Sequence, residues 1–381
     1  MRKIVIIVLV VLVAGYLLSQ SAAVQRLVLA AALPAFPDYP EPAVALDASD
    51  YGELYFATQS AYDLDVLLSD TAPKTATTGL GYLTFPQSLV QGGRVASREP
   101  VPAMVIVSGS GGITPGREHE YAAVFNEWGI ASFVIDYYRP RGVTSETPYM
   151  MKVAAVTEFD VVADAFAALQ LLGTHPAIDA SRIGIIGFSY GGMAARFALD
   201  QRFIDALAPD GKGFALHIDV YGPCFQNLQS KRLGIAPLLT LRGTEDRSND
   251  LVACAQREAE LAAAGVPVES HVYPGAGHGW ETSQERGLLE EAPYIVGCEL
   301  RYDEAGRAFL NGEPFARSAA DADRLTRVAT RLASGAQFQD CVQYGYIMGR
   351  DSDTHRQADA RIRSFLGRHF GMPWSSTAPA G

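Results

Sequence analysis

The chain has 381 residues, enough for one large α/β domain or two small ones with a well-buried core. Its 31 Lys and Arg stand against 42 Asp and Glu, a net charge of -11 that argues against nucleic acid or another polyanion as partner. Four cysteines, none in a C-x-x-C pair, exclude the usual zinc and dithiol redox patterns.

The start, Met1 to Lys3 followed by the apolar run Ile4 to Leu18 and small residues to Ala23, reads as an export signal over 1–23. The run is short for a full membrane span, which needs about 18 or more residues. A second apolar patch, Leu27 to Leu33, keeps a retained membrane anchor open as the other reading. Either way the body of the protein is expected outside the cytoplasm. In an oxidising compartment an even number of cysteines favours disulfides. Four allow three connectivities, and order along the chain suggests Cys224 with Cys254 and Cys298 with Cys341; buried free thiols are the alternative.

Residues 24–50, rich in Pro and acidic side chains from Pro34 onward, read as an extended, solvated linker. A globular unit is expected over 51–372. From Tyr51 to Leu89, alternating stretches separated by Thr- and Ser-rich turns predict antiparallel strands at the leading edge of a sheet. Ala103 to Val107 is a near-continuous apolar run, as expected of a strand covered by helices on both faces. It opens into Ser108-Gly109-Ser110-Gly111-Gly112, a loop whose amides can point at an anion. No Lys-Ser/Thr follows, so a nucleotide-phosphate loop is a poor reading.

A helix over 118–128, a strand over 131–135, a long loop from Tyr137 to Met151 and a helix over 157–172 come next. Tyr137, Arg139 and Arg141 are candidates to meet a substrate carboxylate, with structural ion pairs as the competing reading. The chain then reaches the β-branched run Ile183 to Ile186, Gly187-Phe188-Ser189-Tyr190-Gly191, and the helix-forming Met193 to Leu199. A serine in such a strand-to-helix turn presents its hydroxyl above the sheet, and flanking glycines are needed where a Cβ would clash. Strands over 214–221, 237–242 and 268–273, with a helix over 251–264 between the last two, continue the strand and helix alternation of a doubly wound, mostly parallel sheet. Ser189, Asp246 and His278 each fall on a loop just past a predicted strand, in the order nucleophile, acid, base. A neutral imidazole can take the serine proton, and a carboxylate can hold its tautomer. Glu245 competes with Asp246 as the acid, and Asp250 reads as a helix N-cap. His217 and His271, both within strands, read as structural, and Glu281 as a surface charge.

Gly109 to Gly112, Asp136 with Pro140 to Gly142, Asp179 with Arg182, Gly187 to Gly192, Gly243 to Asp246 and Tyr273 to Gly279 together resemble the dienelactone hydrolase family of α/β-hydrolases. The resemblance runs from about Gly81 to Trp280 and again through the last helix, His355 to Phe370. It implies an α/β-hydrolase fold and hydrolysis of a small-molecule ester or lactone, with no metal and no organic cofactor. It also implies an oxyanion hole made by the main-chain N–H groups of Ser110 and Tyr190. Family members carry Cys at the nucleophile where this chain has Ser189, and relatives of the fold often have His where Ser108 stands. Exported members are similar in having a Cys near Tyr221 to Cys224 and another on the helix after the acid, which favours the first pairing above. The Gly-x-Ser-Tyr-Gly-Gly run is also similar to the prolyl-oligopeptidase group, so a serine peptidase is one alternative; a non-catalytic binding protein on the same fold is another.

Between Trp280 and Thr354 the chain carries an insertion, 281–353, expected to hold a β-hairpin over 298–312 and a helix over 321–332, with Cys341 stapling its ends. A bridge closing a loop of that length adds roughly 4 kcal/mol by chain-entropy reasoning. Residues 373–381 read as a flexible tail.

Overall fold

The computed structural model describes residues 22–374. Its centre is an eight-stranded sheet: β1 (Gly52–Ser60), β2 (Thr75–Thr84), β3 (Val101–Val107), β4 (Ala131–Ile135), β5 (Ile178–Phe188), β6 (His217–Val220), β7 (Leu238–Gly243) and β8 (Val268–Tyr273). The spatial order is β1-β2-β4-β3-β5-β6-β7-β8. Only β2 runs against its neighbours; every pair from β4 across to β8 is parallel.

The apolar run of β3 has a two-sided purpose. Ala103, Val105 and Val107 enter the core on one face, and Met104 and Ile106 enter the core on the other. Alternation by two residues forces this split, so every position must be apolar when helices cover both faces. On the first face pack α1 (Glu158–Leu172) and α2 (Tyr190–Phe197); on the second, α3 (Glu118–Glu127, earlier in the chain than both) and the last helix, α4 (Ser352–Phe370). Helix α1 starts at a capping box in which Thr157 accepts from the Asp160 amide and the Asp160 side chain accepts from that of Thr157. Helix α4 starts at Asp351, which accepts from the amides of Asp353 and Thr354, and ends at left-handed Gly371.

Ala22–Ala32 is helical, and the extended stretch after it, mostly exposed, is tied to the body at several points. Leu29, Leu33 and Leu46 are buried, Arg26 pairs with Asp323, and the Arg324 guanidinium lies over the Phe36 ring while donating to the Pro34 carbonyl at 2.7 Å. The apolar side chains and the arginine-rich 323–331 stretch supply each other's partners, which single-segment reading does not reveal. At the other end Trp374 packs on Trp128 and under Arg363, and the rest of the expected tail, 375–381, lies outside the described residues. The proposed signal or anchor, Ile4 to Leu18, lies outside the described residues. Among those described, no helix is long and apolar enough to cross a membrane.

The segment between the His278 loop and α4 folds back on the sheet. A ribbon of β9 (Gly287–Ile295) and β12 (Val342–Met348) rises from it, with a small hairpin of β10 (Leu300–Tyr302) and β11 (Ala308–Leu310) and the helix α5 (Arg324–Ser334) between. Cys224 is bridged to Cys254 and Cys298 to Cys341.

His217 lies in the core, as its place within a strand suggests, and its Nδ1 donates to the Ala195 carbonyl at 2.8 Å. Burial pushes its pKa from 6.5 down to about 4, only partly opposed by that hydrogen bond. Because the folded-state value is the lower one, neutral His217 contributes stability that is complete above about pH 6.5 and is lost as pH falls through about 4. Urea unfolding at pH 7 and pH 4.5 should show the wild type losing about 2 kcal/mol more than His217→Gln, and equal losses would contradict this assignment.

Candidate active site

The turn at Ser189 is built on close backbone approach. Ser189 has φ 54° and ψ -116°, a left-handed conformation that a β-carbon makes costly. The turn can be this tight because its glycines have no side chain: a Cβ on Gly187 would lie 1.9 Å from the Gly191 carbonyl oxygen, and one on Gly191 would lie 2.4 Å from that of Val107. The Ser189 amide donates to the Val220 carbonyl at 2.9 Å, and its own carbonyl accepts from Met193 at 3.0 Å, so the strained residue is tied to β6 and α2.

Asp246 and His278 meet. His278 Nδ1 and Asp246 Oδ2 are 2.7 Å apart, with the aspartate fully buried and the imidazole nearly so. The carboxylate has further donors: the Ser248 amide at 3.0 Å and hydroxyl at 2.5 Å on Oδ1, and Asn249 Nδ2 at 2.9 Å on Oδ2. Asn249 also donates to the Tyr221 carbonyl at 2.8 Å and accepts from Arg242 at 2.8 Å. With its Nδ1 proton directed at Asp246, His278 leaves Nε2 as an acceptor. Among the described residues the Ser189 hydroxyl makes no hydrogen bond.

Glu245, the rival acid, points outward to Arg286 at 2.5 Å, and Asp250 caps its helix, accepting from Val252 and Ala253. His271 lies on β8, away from this pair.

The loop after β3 is held by two phenols. Tyr137 donates to the carbonyls of Ser108 and Gly109, and Tyr138 to that of Ser110 at 2.8 Å. Ser110 Oγ lies 3.2 Å from the Tyr149 hydroxyl. Fixing the carbonyls leaves the Ser110 amide free, and the Tyr190 amide is the first of α2, a position with no helical acceptor. Among the described residues neither amide donates to a protein group. Tyr137 is thus buried scaffolding rather than a substrate contact. So is Arg141, which is fully buried and forks onto Asp164 at 2.7 and 2.9 Å, whereas Arg139 sits at the surface on Glu53 at 2.7 Å. None of the three is placed to read a substrate carboxylate. Each is taken up by a partner elsewhere in the fold: the loop after β3 for Tyr137, β1 for Arg139 and α1 for Arg141.

Sequence reading missed the support beneath the imidazole. Tyr221, also at positive φ (44°), packs its ring 4.3 Å from that of His278 and edge-on to Trp280 at 4.8 Å. Its hydroxyl donates to Glu281, which is buried 3.9 Å from Arg117, not a surface charge. Burial pushes the Glu281 carboxyl above its ordinary value, while Arg117 and the Tyr221 hydroxyl act against that rise. Nothing local in the chain signals these partners; they come from three loops.

A strained serine between a parallel strand and a helix, with a buried His–Asp pair at the same sheet edge, defines a protein of the α/β-hydrolase class. The dienelactone hydrolase family model matches residues 91–330, and the chain belongs to that family and is a hydrolase. Among solved structures it is similar to an esterase from Thermogutta terrifontis with propionate bound, at 19% identity over 59% of this chain and 85% of that one, with a TM-score of 0.40. It is also similar to a dienelactone hydrolase-like promiscuous phosphotriesterase, P91, from metagenomic libraries, at 16% identity over 60% and 84% of the two chains, with a TM-score of 0.42. No curated protein matches it.

The close approach at the Ser189 turn has a measurable consequence. Gly191→Ala should lose about 3 kcal/mol or more of unfolding free energy, or fail to accumulate as folded protein, because two backbones must part to admit the methyl group. Gly287→Ala, where nothing lies within 4 Å of the added carbon, should stay within about 0.5 kcal/mol of wild type in the same denaturant titration.

Proposed function

We propose that the protein is a serine hydrolase that cleaves carboxylic esters or lactones through an acyl-enzyme, with Ser189 as nucleophile, His278 as base and Asp246 as its orienting acid. The observations that carry this reading are the 2.7 Å contact between Asp246 and His278 Nδ1 and a serine held at positive φ in a strand-to-helix turn of the same sheet. Nε2 of His278 takes the Ser189 proton as Oγ attacks the carbonyl carbon, and the carbonyl electron pair moves onto oxygen. The amides of Ser110 and Tyr190 receive that oxyanion. The C–O bond to the alcohol then breaks, and His278 returns the proton to the leaving oxygen. Water, deprotonated by the same nitrogen, attacks the acyl-enzyme and releases the acid and free Ser189. In a lactone the alcohol and the acid remain one molecule. Ser248 and Asn249 keep the Asp246 oxygens in place, and Tyr221 backs the imidazole.

We read 51–372 as one catalytic unit in which 281–353 is an insertion, and the two disulfides as favouring an exported protein, with 1–23 as its signal or anchor.

With p-nitrophenyl esters of short acids, Ser189→Ala should lower kcat/KM by about 10⁴ or more, and Asp246→Asn by about 10³ to 10⁴. A fluorophosphonate probe should label the wild type on Ser189 and not the alanine variant. Equal rates for wild type and Ser189→Ala, or labelling that survives the substitution, would overturn the serine mechanism. A panel of acyl esters, lactones and short peptides run on one preparation separates the esterase reading from a peptidase.

A further inference from the structure

The insertion reaches both sides of Ser189. On the base side, the His278 amide donates to the Ile347 carbonyl at 2.7 Å and its carbonyl accepts from Gly349 at 2.9 Å, so the His278 backbone is stitched to the end of β12. A Cβ on Gly277 would lie 2.7 Å from that same Ile347 oxygen, which shows how closely the two segments lie. On the oxyanion side the connection runs through side chains. Tyr190, whose amide is the candidate oxyanion donor, sends its phenol to Glu158 Oε2 at 2.8 Å. Glu158 is buried at the start of α1, and its Oε2 is also paired with the Arg331 guanidinium of α5. Gln226 Nε2 donates to Oε1 at 3.0 Å, and Tyr302, from β10, holds the Gln226 amide oxygen at 3.0 Å. One residue of the insertion thus pairs with this buried carboxylate, and another holds the glutamine that donates to it.

We propose that Arg331 is a positioning residue for the oxyanion amide of Tyr190 and acts on it through Glu158. The inference rests on the serine-hydrolase reading above. A carboxylate removed from water needs a countercharge, and here the only cation in contact with it comes from the insertion, among the described residues. Although burial pushes the Glu158 carboxyl up, Arg331 and the hydrogen bonds around it hold it below its ordinary value. Charged, it is a strong acceptor that fixes the Tyr190 ring, and through the ring the first residue of α2. Arg331 has a second effect. An unneutralised negative charge one side chain from the oxyanion would oppose the charge that develops there, and the guanidinium cancels it.

The test is a double-mutant cycle on the full chain with a p-nitrophenyl ester, with Ser189→Ala in parallel. Removing an oxyanion donor outright costs about 10² to 10³ in kcat, so displacing one should cost about tenfold, with KM within about twofold of wild type. Tyr190→Phe and Arg331→Gln should each show that loss. The double variant should fall no further than the worse single, and Arg331→Lys should recover most of the rate. Wild-type kcat in Tyr190→Phe, which removes a hydroxyl and no charge, overturns the inference however the Arg331 variants fold; so do losses that multiply in the double variant. Activity persisting in Ser189→Ala would instead sink the hydrolase reading. If that substitution silences the enzyme while Tyr190→Phe and Arg331→Gln remain at wild-type rate, the link through Glu158 alone is wrong.

Discussion

The close approach of the β3 and β5 ends to the start of α2 is the constraint on which the site depends. Gly187 and Gly191 lie where any side chain would overlap the opposing backbone, and their contact drives Ser189 into a left-handed conformation that costs about 1–3 kcal/mol. The packing of β3 and β5 within two apolar layers offsets that cost. Relaxing the turn would drop the hydroxyl toward the sheet. Strain at Ser189 is therefore the local price of raising its hydroxyl on a strand-to-helix turn at the end of the sheet.

Around this turn the protein buries several carboxylates and gives each a partner. Asp246, Asp219, Glu158 and Asp164 are each inaccessible to water, and each meets an arginine, a histidine or several donors. Isolated, such carboxylates would be destabilising; partnered, they fix directions that apolar contacts leave loose. Arg242 illustrates the economy of the arrangement. It touches Asp219 and Glu258 and also holds the Asn249 amide that braces Asp246, so the charge pairing under β7 and the orientation of His278 share one guanidinium. The Cys224–Cys254 bridge spans the same neighbourhood, joining the loop after β6 to the helix that follows the acid.

Much of the scaffold was legible locally. The strands over 131–135 and 268–273 agree with the structure residue for residue, because short β-branched and aromatic runs between turn signals leave little choice of boundary. The helix over 157–172 is legible from its apolar positions at helical spacing, and the structure starts it with a capping box of Thr157 and Asp160. By contrast, the strand expected over 214–221 shrinks to His217–Val220, since ladder pairing with β5 and β7 rather than hydrophobicity sets its length. Arg139 and Arg141 looked alike in the chain, yet one is at the surface and the other wholly enclosed, a difference made by Asp164 on α1.

Sequence by itself determined the alternation of strands and helices, the sharp turn at Ser189 and the chain order of a serine, an aspartate and a histidine. These follow from periodicity and from the few residue types that tolerate special backbone angles, both properties of neighbours along the chain. Only tertiary structure decided that Glu245 turns outward to Arg286, that Glu281 lies buried beneath Tyr221, and that Arg331 meets the carboxylate behind Tyr190. Those choices depend on which distant segments share a volume closed to water, where a charge finds its partner across the fold and not beside it in the polypeptide.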